Sequence, residues 1–264
     1  MGGCTVVPER VGLHAIVRFR CPAGGLPVLT AATAGGLAKV VRAIAGDGSV
    51  RSVTLASDHE SVFLAGADLE ELNGLDARRT KAWAHRMRKA LAELETLPVP
   101  VIAALHGDVH GGGCEVALAA DVCVAVRSAR LAFTQARYGL MPAGGGVTRL
   151  TRRVGQARAL LLLLTGRPVR AAEARVLRLV DDVVADRQAL EDHLAEMRAT
   201  IEMAGPEACR AMKESVRAAM APWSAASFAH EDETCAAMLA SPERREGLRA
   251  AAEHRPPEWA VREG

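Results

Sequence analysis

VIAALHGDVHGGGCEVALAADVCVA, residues 101–125, carries the alternation from which the architecture follows. The segment 98–107 is short and nearly all apolar, as in a strand buried on both faces. Three contiguous glycines follow at Gly111, Gly112 and Gly113, although glycine is costly inside a helix. A helix is expected from about 112, with Glu115 in its first turn, and then a strand over 121–126. Strand, glycine turn, helix and strand within 25 residues point to an α/β domain with right-handed crossovers.

The same alternation extends outward. Residues 13–20 alternate apolar and polar and read as a strand. Residues 31–45 are predicted helical, 50–57 a strand, and 63–72 a strand end running into a helix past Gly66. An amphipathic helix is expected over 78–96, stopped by Pro98. After "LAFTQ" (131–135), read as a strand, strands are expected to fade from about 150. Helices are predicted at 154–164, 171–178, 187–203, 206–220 and 226–252, the last broken near Pro242. Residues 1–200 are thus expected to form the core, and 201–264 a helical lid or oligomerisation region.

With 264 residues the chain can bury a large core. Half of it is apolar but only 3% aromatic, so Ala, Leu and Val must do most of the packing. A net charge of +2, from 33 basic and 31 acidic residues, gives no reason to expect nucleic acid or an anionic membrane as partner. The six cysteines show no CxxC or Cys/His metal spacing and read as reduced thiols of a cytoplasmic protein. "MGGCTV" lacks the Ser or Thr of a myristoylation signal at Val6. Its longest strongly apolar run, 159–164, is too short to span a bilayer.

Two turns share one design: Ala65-Gly66-Ala67-Asp68, and Gly111-Gly112-Gly113. Each follows a strand and opens a helix, where backbone N–H groups lack intrahelical partners. Glycine lets a ligand come close to such amides. Two of them converging on one oxygen make an oxyanion hole for enolate formation or acyl transfer at a carbonyl or thioester. The contiguous glycines are not the G-x-G-x-x-G dinucleotide fingerprint. No G-x-S-x-G elbow is present, which sets a serine hydrolase aside.

Five ordered blocks carry a family resemblance: FLAGADLEEL (63–72), residues 101–125, YGLMPAGGGVTRLTRRVG (138–155), LLLLTGRPVRAAEARVLRLVDDVV (161–184) and EGLRAAAEHRPPEW (246–259). Together they resemble the crotonase, or enoyl-CoA hydratase/isomerase, superfamily. The resemblance implies a ClpP/crotonase-like spiral of ββα units with a helical C-terminal region, assembled as a homotrimer or a hexamer. It implies an acyl-CoA or acyl-carrier-protein thioester as substrate, with coenzyme A as part of the substrate and no separate cofactor or metal. The oxyanion hole would be the amides of Ala67 and Gly112, with Glu115 as general acid/base. Ala65, Asp68, Leu69, Gly111, His110 and Tyr138 would contact substrate.

Departures from the family are informative. The second catalytic glutamate of family hydratases falls on Gln135, 20 residues after Glu115. A glutamine cannot exchange a proton as a carboxylic acid does, but it can hold a water or a polar substrate group. Glu70 stands where lysine is frequent near coenzyme phosphates. Ala251 replaces a bulky aromatic of the acyl site, with Trp259 or Phe228 as candidate replacements, and His254 replaces a lysine beside Arg255. Arg137 and His106 are further polar candidates. Three readings follow: a hydratase/lyase with one acid/base glutamate, a malonyl-type decarboxylase similar to ethylmalonyl-CoA decarboxylase-like members, or a non-catalytic acyl-CoA-binding paralogue.

Overall fold

All five residues of Val101–Leu105 are buried, at the centre of the largest sheet. The computed structural model describes residues 3–220, 233, 236, 241–255, 257 and 258. In chain order its elements begin with β1 (Thr5–Val11), β2 (His14–Arg20), β3 (Val28–Leu29), α1 (Ala31–Ala45), β4 (Ser52–Ser57), β5 (Val62–Leu64) and β6 (Gly66–Ala67). Next come α2 (Leu69–Asn73), α3 (Ala77–Glu95), β7 (Val101–Leu105), β8 (Asp108–His110), α4 (Gly112–Leu118), β9 (Val122–Val126) and β10 (Arg130–Ala132). A 3-10 turn (Gln135–Tyr138) precedes α5 (Gly146–Val154), α6 (Gln156–Thr165), β11 (Val169–Arg170), α7 (Ala171–Val176), β12 (Asp182–Val184), α8 (Arg187–Met203), α9 (Pro206–Ala219) and α10 (Pro242–Ala252).

The six-stranded sheet runs β1-β2-β4-β7-β9-β12, and only its β1–β2 hairpin is antiparallel. A four-stranded sheet, β11-β10-β8-β5, and the β3–β6 pair complete the described strands. Local chemistry sets the helices. Thr30 and Thr33 form a reciprocal capping box at the start of α1. Asp76 caps α3 by accepting from the Arg79 amide. Trp83, Met87, Leu91 and Leu94 then fall on one buried face of α3, at helical spacing.

Several boundaries differ from the sequence reading. The strand expected over 131–135 ends at Ala132, because the chain turns into the 3-10 segment that carries Gln135. The helix expected over 154–164 is α6, beginning at Gln156; α5 before it was not expected, and it ends at Gly155, whose φ of +80° breaks it. Strands do not fade after 150: β11 and β12 pair with β10 and β9. Of the helix expected over 226–252, α10 begins at Pro242, and 221–232, Phe228 among them, lies outside the described residues.

One register matters for the site. Parallel pairing of β8 with β10 sets Ala132 opposite His110, and the Gly111 amide donates to the Ala132 carbonyl at 2.8 Å. The end of β10, and Gln135 just past it, are thereby brought against the glycine turn.

Candidate active site

Each of the three glycines has its own cause. Gly111 sits at φ +52°, ψ −117°, a region open in practice to glycine. A Cβ on Gly112 would lie 3.1 Å from Leu29 Cδ1 and 3.7 Å from the Ala67 nitrogen. A Cβ on Gly113 would lie 2.6 Å from the Leu64 carbonyl oxygen, so helix α4 can seat against β5 only with glycine there. Gly66 completes the arrangement at φ +99°: a Cβ there would meet the His110 carbonyl at 3.0 Å and the Gly112 nitrogen at 3.5 Å.

The second turn is pinned on both sides. The Ala65 amide donates to the Pro27 carbonyl at 2.9 Å and the Asp68 amide to the Leu29 carbonyl at 3.0 Å. Between these two bonds the Ala67 amide nitrogen comes beside Gly112. Gly112 is the first residue of α4, where the helix itself supplies no acceptor for the N–H. The two backbone amides singled out in sequence therefore lie side by side.

Glu115 is 5% exposed and stands across from them. Its Oε1 accepts from the Gly144 amide at 2.7 Å and from the Gly146 amide at 2.9 Å. Its Oε2 lies 3.9 Å from the Cβ position of Gly112, on the side of the two amides. Oε1 is thus tied to the backbone, and Oε2 lies close to the glycine turn.

These groups open into a cavity of about 890 Å³. Its apolar wall includes Leu29, Leu72, Trp83, Met87, Leu140 and Met141. Ala65, Ala67, Leu69, Gly111, Gly112 and Tyr138 line it, as do Glu70 and Arg137. So does Gln135, whose side-chain nitrogen and oxygen are both buried without a hydrogen-bond partner. Its carboxamide carbon lies 3.9 Å from the Cβ position of Gly111. An amide left unpaired at this depth costs free energy.

His110 lines the cavity too, with Nε2 4.0 Å from Asp108 Oδ2. Burial holds its pKa below the ordinary histidine value; the Asp108 carboxylate opposes this, and the Arg130 and Arg137 charges add to it. That direction favours the neutral ring near pH 7. Asp68 lines the cavity as well, but its Oδ1 accepts from the Glu70 and Glu71 amides, which caps α2 and fixes the turn. Arg137 spends a guanidinium N–H on the Gly166 carbonyl at 2.8 Å.

His106 lies elsewhere: its Nε2 bonds the His59 carbonyl at 2.7 Å, and it does not line the cavity. Neither Ala251 nor His254 lines it among the described residues, and Arg255 is engaged with Glu246 and Glu253. Trp259 lies outside the described residues. Sequence reading missed the roles of Gly144 and Gly146. The only signal was the glycine run in "PAGGG", which says that the backbone comes close to something without saying to what.

A model of the enoyl-CoA hydratase/isomerase family matches residues 26–262. The mitochondrial methylglutaconyl-CoA hydratase of Rattus norvegicus is 32% identical over 229 residues, spanning 84% of this chain and 72% of that protein. Two solved structures share the fold. An enoyl-CoA hydratase from Bacillus halodurans superposes with a TM-score of 0.86 at 24% identity, covering 93% of this chain and 99% of that one. A methylmalonyl-CoA decarboxylase in complex with 2-nitronate-propionyl-CoA superposes with a TM-score of 0.84 at 23% identity, covering 97% and 98%. The architecture is the crotonase fold expected from the five sequence blocks. The chain belongs to the enoyl-CoA hydratase/isomerase family.

Proposed function

We propose that the chain hydrates a 2-enoyl-CoA thioester, using one acid/base carboxylate. The observation that carries this reading is the Glu115 carboxylate, tied by Oε1 to two backbone amides, with Oε2 3.9 Å from the Cβ position of Gly112 beside the Ala67 amide. The thioester oxygen would sit between those two amides, which stabilise it as it gains charge. The acyl chain would run along Trp83, Met87 and Leu140.

In that pose Glu115 takes a proton from a water molecule. The water oxygen bonds to the β-carbon, the double-bond electrons move onto the thioester as an enolate, and Glu115 returns the proton to the α-carbon. Gln135 supplies an unpaired N–H and an unpaired oxygen near the same place, enough to hold that water without exchanging a proton with it. The similarity to methylglutaconyl-CoA hydratases supports an acyl chain of modest length. We read the helices from 201 onward as an oligomerisation element, with Met212, Val216 and Met220 exposed.

The test is Glu115→Gln, followed by loss of the enoyl absorbance of 3-methylglutaconyl-CoA and crotonyl-CoA. We expect turnover to fall by about 10²–10⁴-fold, the range of a general acid/base. A variant as active as the parent would overturn the assignment.

The replacement of a carboxylate by Gln135 favours a second reading, decarboxylation of a malonyl-type thioester. There the departing CO2 leaves its electrons in the enolate, and only one proton donor is needed. Carbon dioxide release from ethylmalonyl-CoA without hydration of crotonyl-CoA would select it. Tight CoA binding with no turnover of either would select a binding protein.

A further inference from the structure

The five described cysteines are free thiols, and two of them are paired in space. Cys4 Sγ and Cys21 Sγ lie 3.7 Å apart across 17 residues of chain. The β1–β2 hairpin explains why. Its antiparallel register begins with Thr5 opposite Arg20, so the next pair outward is Cys4 opposite Cys21.

Their backbone bonds settle which kind of pair this is. The Cys4 amide donates to the Val28 carbonyl at 3.1 Å, and the Cys21 amide to Asp58 Oδ1 at 2.9 Å. Neither amide donates to the other residue. In an antiparallel ladder that is the arrangement with the closer α-carbons, about 4.5 Å apart, and the closer side chains. It falls inside the α-carbon window that a disulfide requires, about 4.4–6.8 Å.

We propose that Cys4 and Cys21 are a disulfide-forming pair, oxidised by a small-molecule disulfide such as oxidised glutathione. Cys21 is half-buried whereas Cys4 is 2% exposed, so Cys21 reacts first. Its thiolate attacks one sulfur of the oxidant; a mixed disulfide forms, the oxidant's S–S bond breaks, and one small thiol leaves with a proton. Cys4, losing its proton to solvent, then attacks Cys21 Sγ and expels the second small thiol. Two protein thiols are oxidised to one disulfide, and one small disulfide is reduced to two thiols.

The bond closes immediately before Pro22–Leu26, a wall of the substrate cavity. Cys4 is already tied to the far end of that wall, through the Val28 carbonyl and through the Thr33 hydroxyl, which donates to the Cys4 carbonyl at 2.8 Å. Burial raises the pKa of both thiols, with Asp58 adding to it at each. A thiolate that the protein does not stabilise attacks slowly and gives the reduced pair no advantage over the disulfide.

The test treats the folded full-length chain with excess oxidised glutathione, blocks remaining thiols at low pH, and maps tryptic peptides by mass. The expected product links residues 1–10 to residues 21–39 and is absent after reduction. In Cys4→Ser the link vanishes and Cys21 carries a persistent glutathione adduct. Wild-type chain in which both cysteines are recovered blocked, or in which Cys21 stops at the mixed disulfide, overturns the proposal.

Discussion

Gly146 holds Glu115 in two ways. Its amide donates to Glu115 Oε1 at 2.9 Å, and the space its missing side chain leaves is taken by the same residue. A Cβ there would fall 2.7 Å from Oε1 and 2.8 Å from Cγ of Glu115, and 2.8 Å from Pro142 Cβ. Gly146→Ala therefore displaces the carboxylate while leaving the Ala67–Gly112 amides in place. Misplacing a reacting group by about 1 Å costs on the order of 10²-fold in rate. We expect kcat for the enoyl thioester to fall by about that factor with KM changed less than threefold, read from steady-state kinetics.

Gly112→Pro isolates one amide of the oxyanion hole. Gly112 is the first residue of α4, where proline is tolerated because its missing N–H has no helical acceptor to lose. The substitution removes a donor and puts ring carbon in its place. Losing one oxyanion donor costs about 10²–10³-fold in kcat. A folded variant, verified by circular dichroism, with undiminished kcat would remove Gly112 from the mechanism.

Gly113→Ala separates fold from chemistry within the same triplet. Its Cβ would lie 2.6 Å from the Leu64 carbonyl oxygen and 2.7 Å from Leu64 Cβ, both on β5. Backbone cannot yield as a flexible side chain does, so α4 must move off the sheet. Overpacking of this kind costs about 1–3 kcal/mol or more. Urea unfolding is expected at a lower midpoint, with the unfolding free energy extrapolated to water reduced by about that amount.

Much of this site is legible in sequence because it is local. Residues 31–45 and 187–203 read as helices from their patterning and are helices over those residues. The glycine turn, Glu115 one turn on, and the loss of a carboxylate at Gln135 are all visible within 35 residues. What stays hidden is of two kinds. Strand β1 is mostly exposed or half-buried and shows no alternation to read, and β3, β6 and β11 are two residues long. The other kind is long-range: Glu115 is anchored by amides 29 and 31 residues away, and no periodicity reports such a contact.

Acid should weaken the fold through buried histidines, and His106 tests this. An unfolded histidine titrates near 6.5, and burial holds the folded value below that, helped by the charges of Arg187 and His59 and opposed by hydrogen bonds to the His59 and Ala104 carbonyls. Between the two values the unfolded chain binds a proton that the folded chain does not. Stability is therefore full above pH 6.5 and falls as the pH drops toward the folded value, by at most about 1.4 kcal/mol per pH unit for one group. His106→Gln is expected to lose less stability than the parent between about pH 7.5 and 5.5 in urea titrations. Carboxylate effects are common to both proteins and cancel in that comparison.

Gln135→Glu asks what the second carboxylate adds. The carboxamide is already buried in the cavity with neither atom paired, so a carboxylate of the same length needs no repacking. Desolvation favours its neutral acid, as does the like charge of Glu115 across the glycine turn. A neutral acid beside the α- and β-carbons can donate the proton that Gln135 cannot. Under the hydration reading, turnover of crotonyl-CoA should rise by at least 10-fold, since general acid catalysis supplies about 10²–10⁴-fold. Under the decarboxylation reading, carbon dioxide release from a malonyl-type thioester should fall instead, because the new carboxyl competes with the substrate carboxylate for the same place. Parallel assays of the two substrates on this one variant give opposite signs for the two readings.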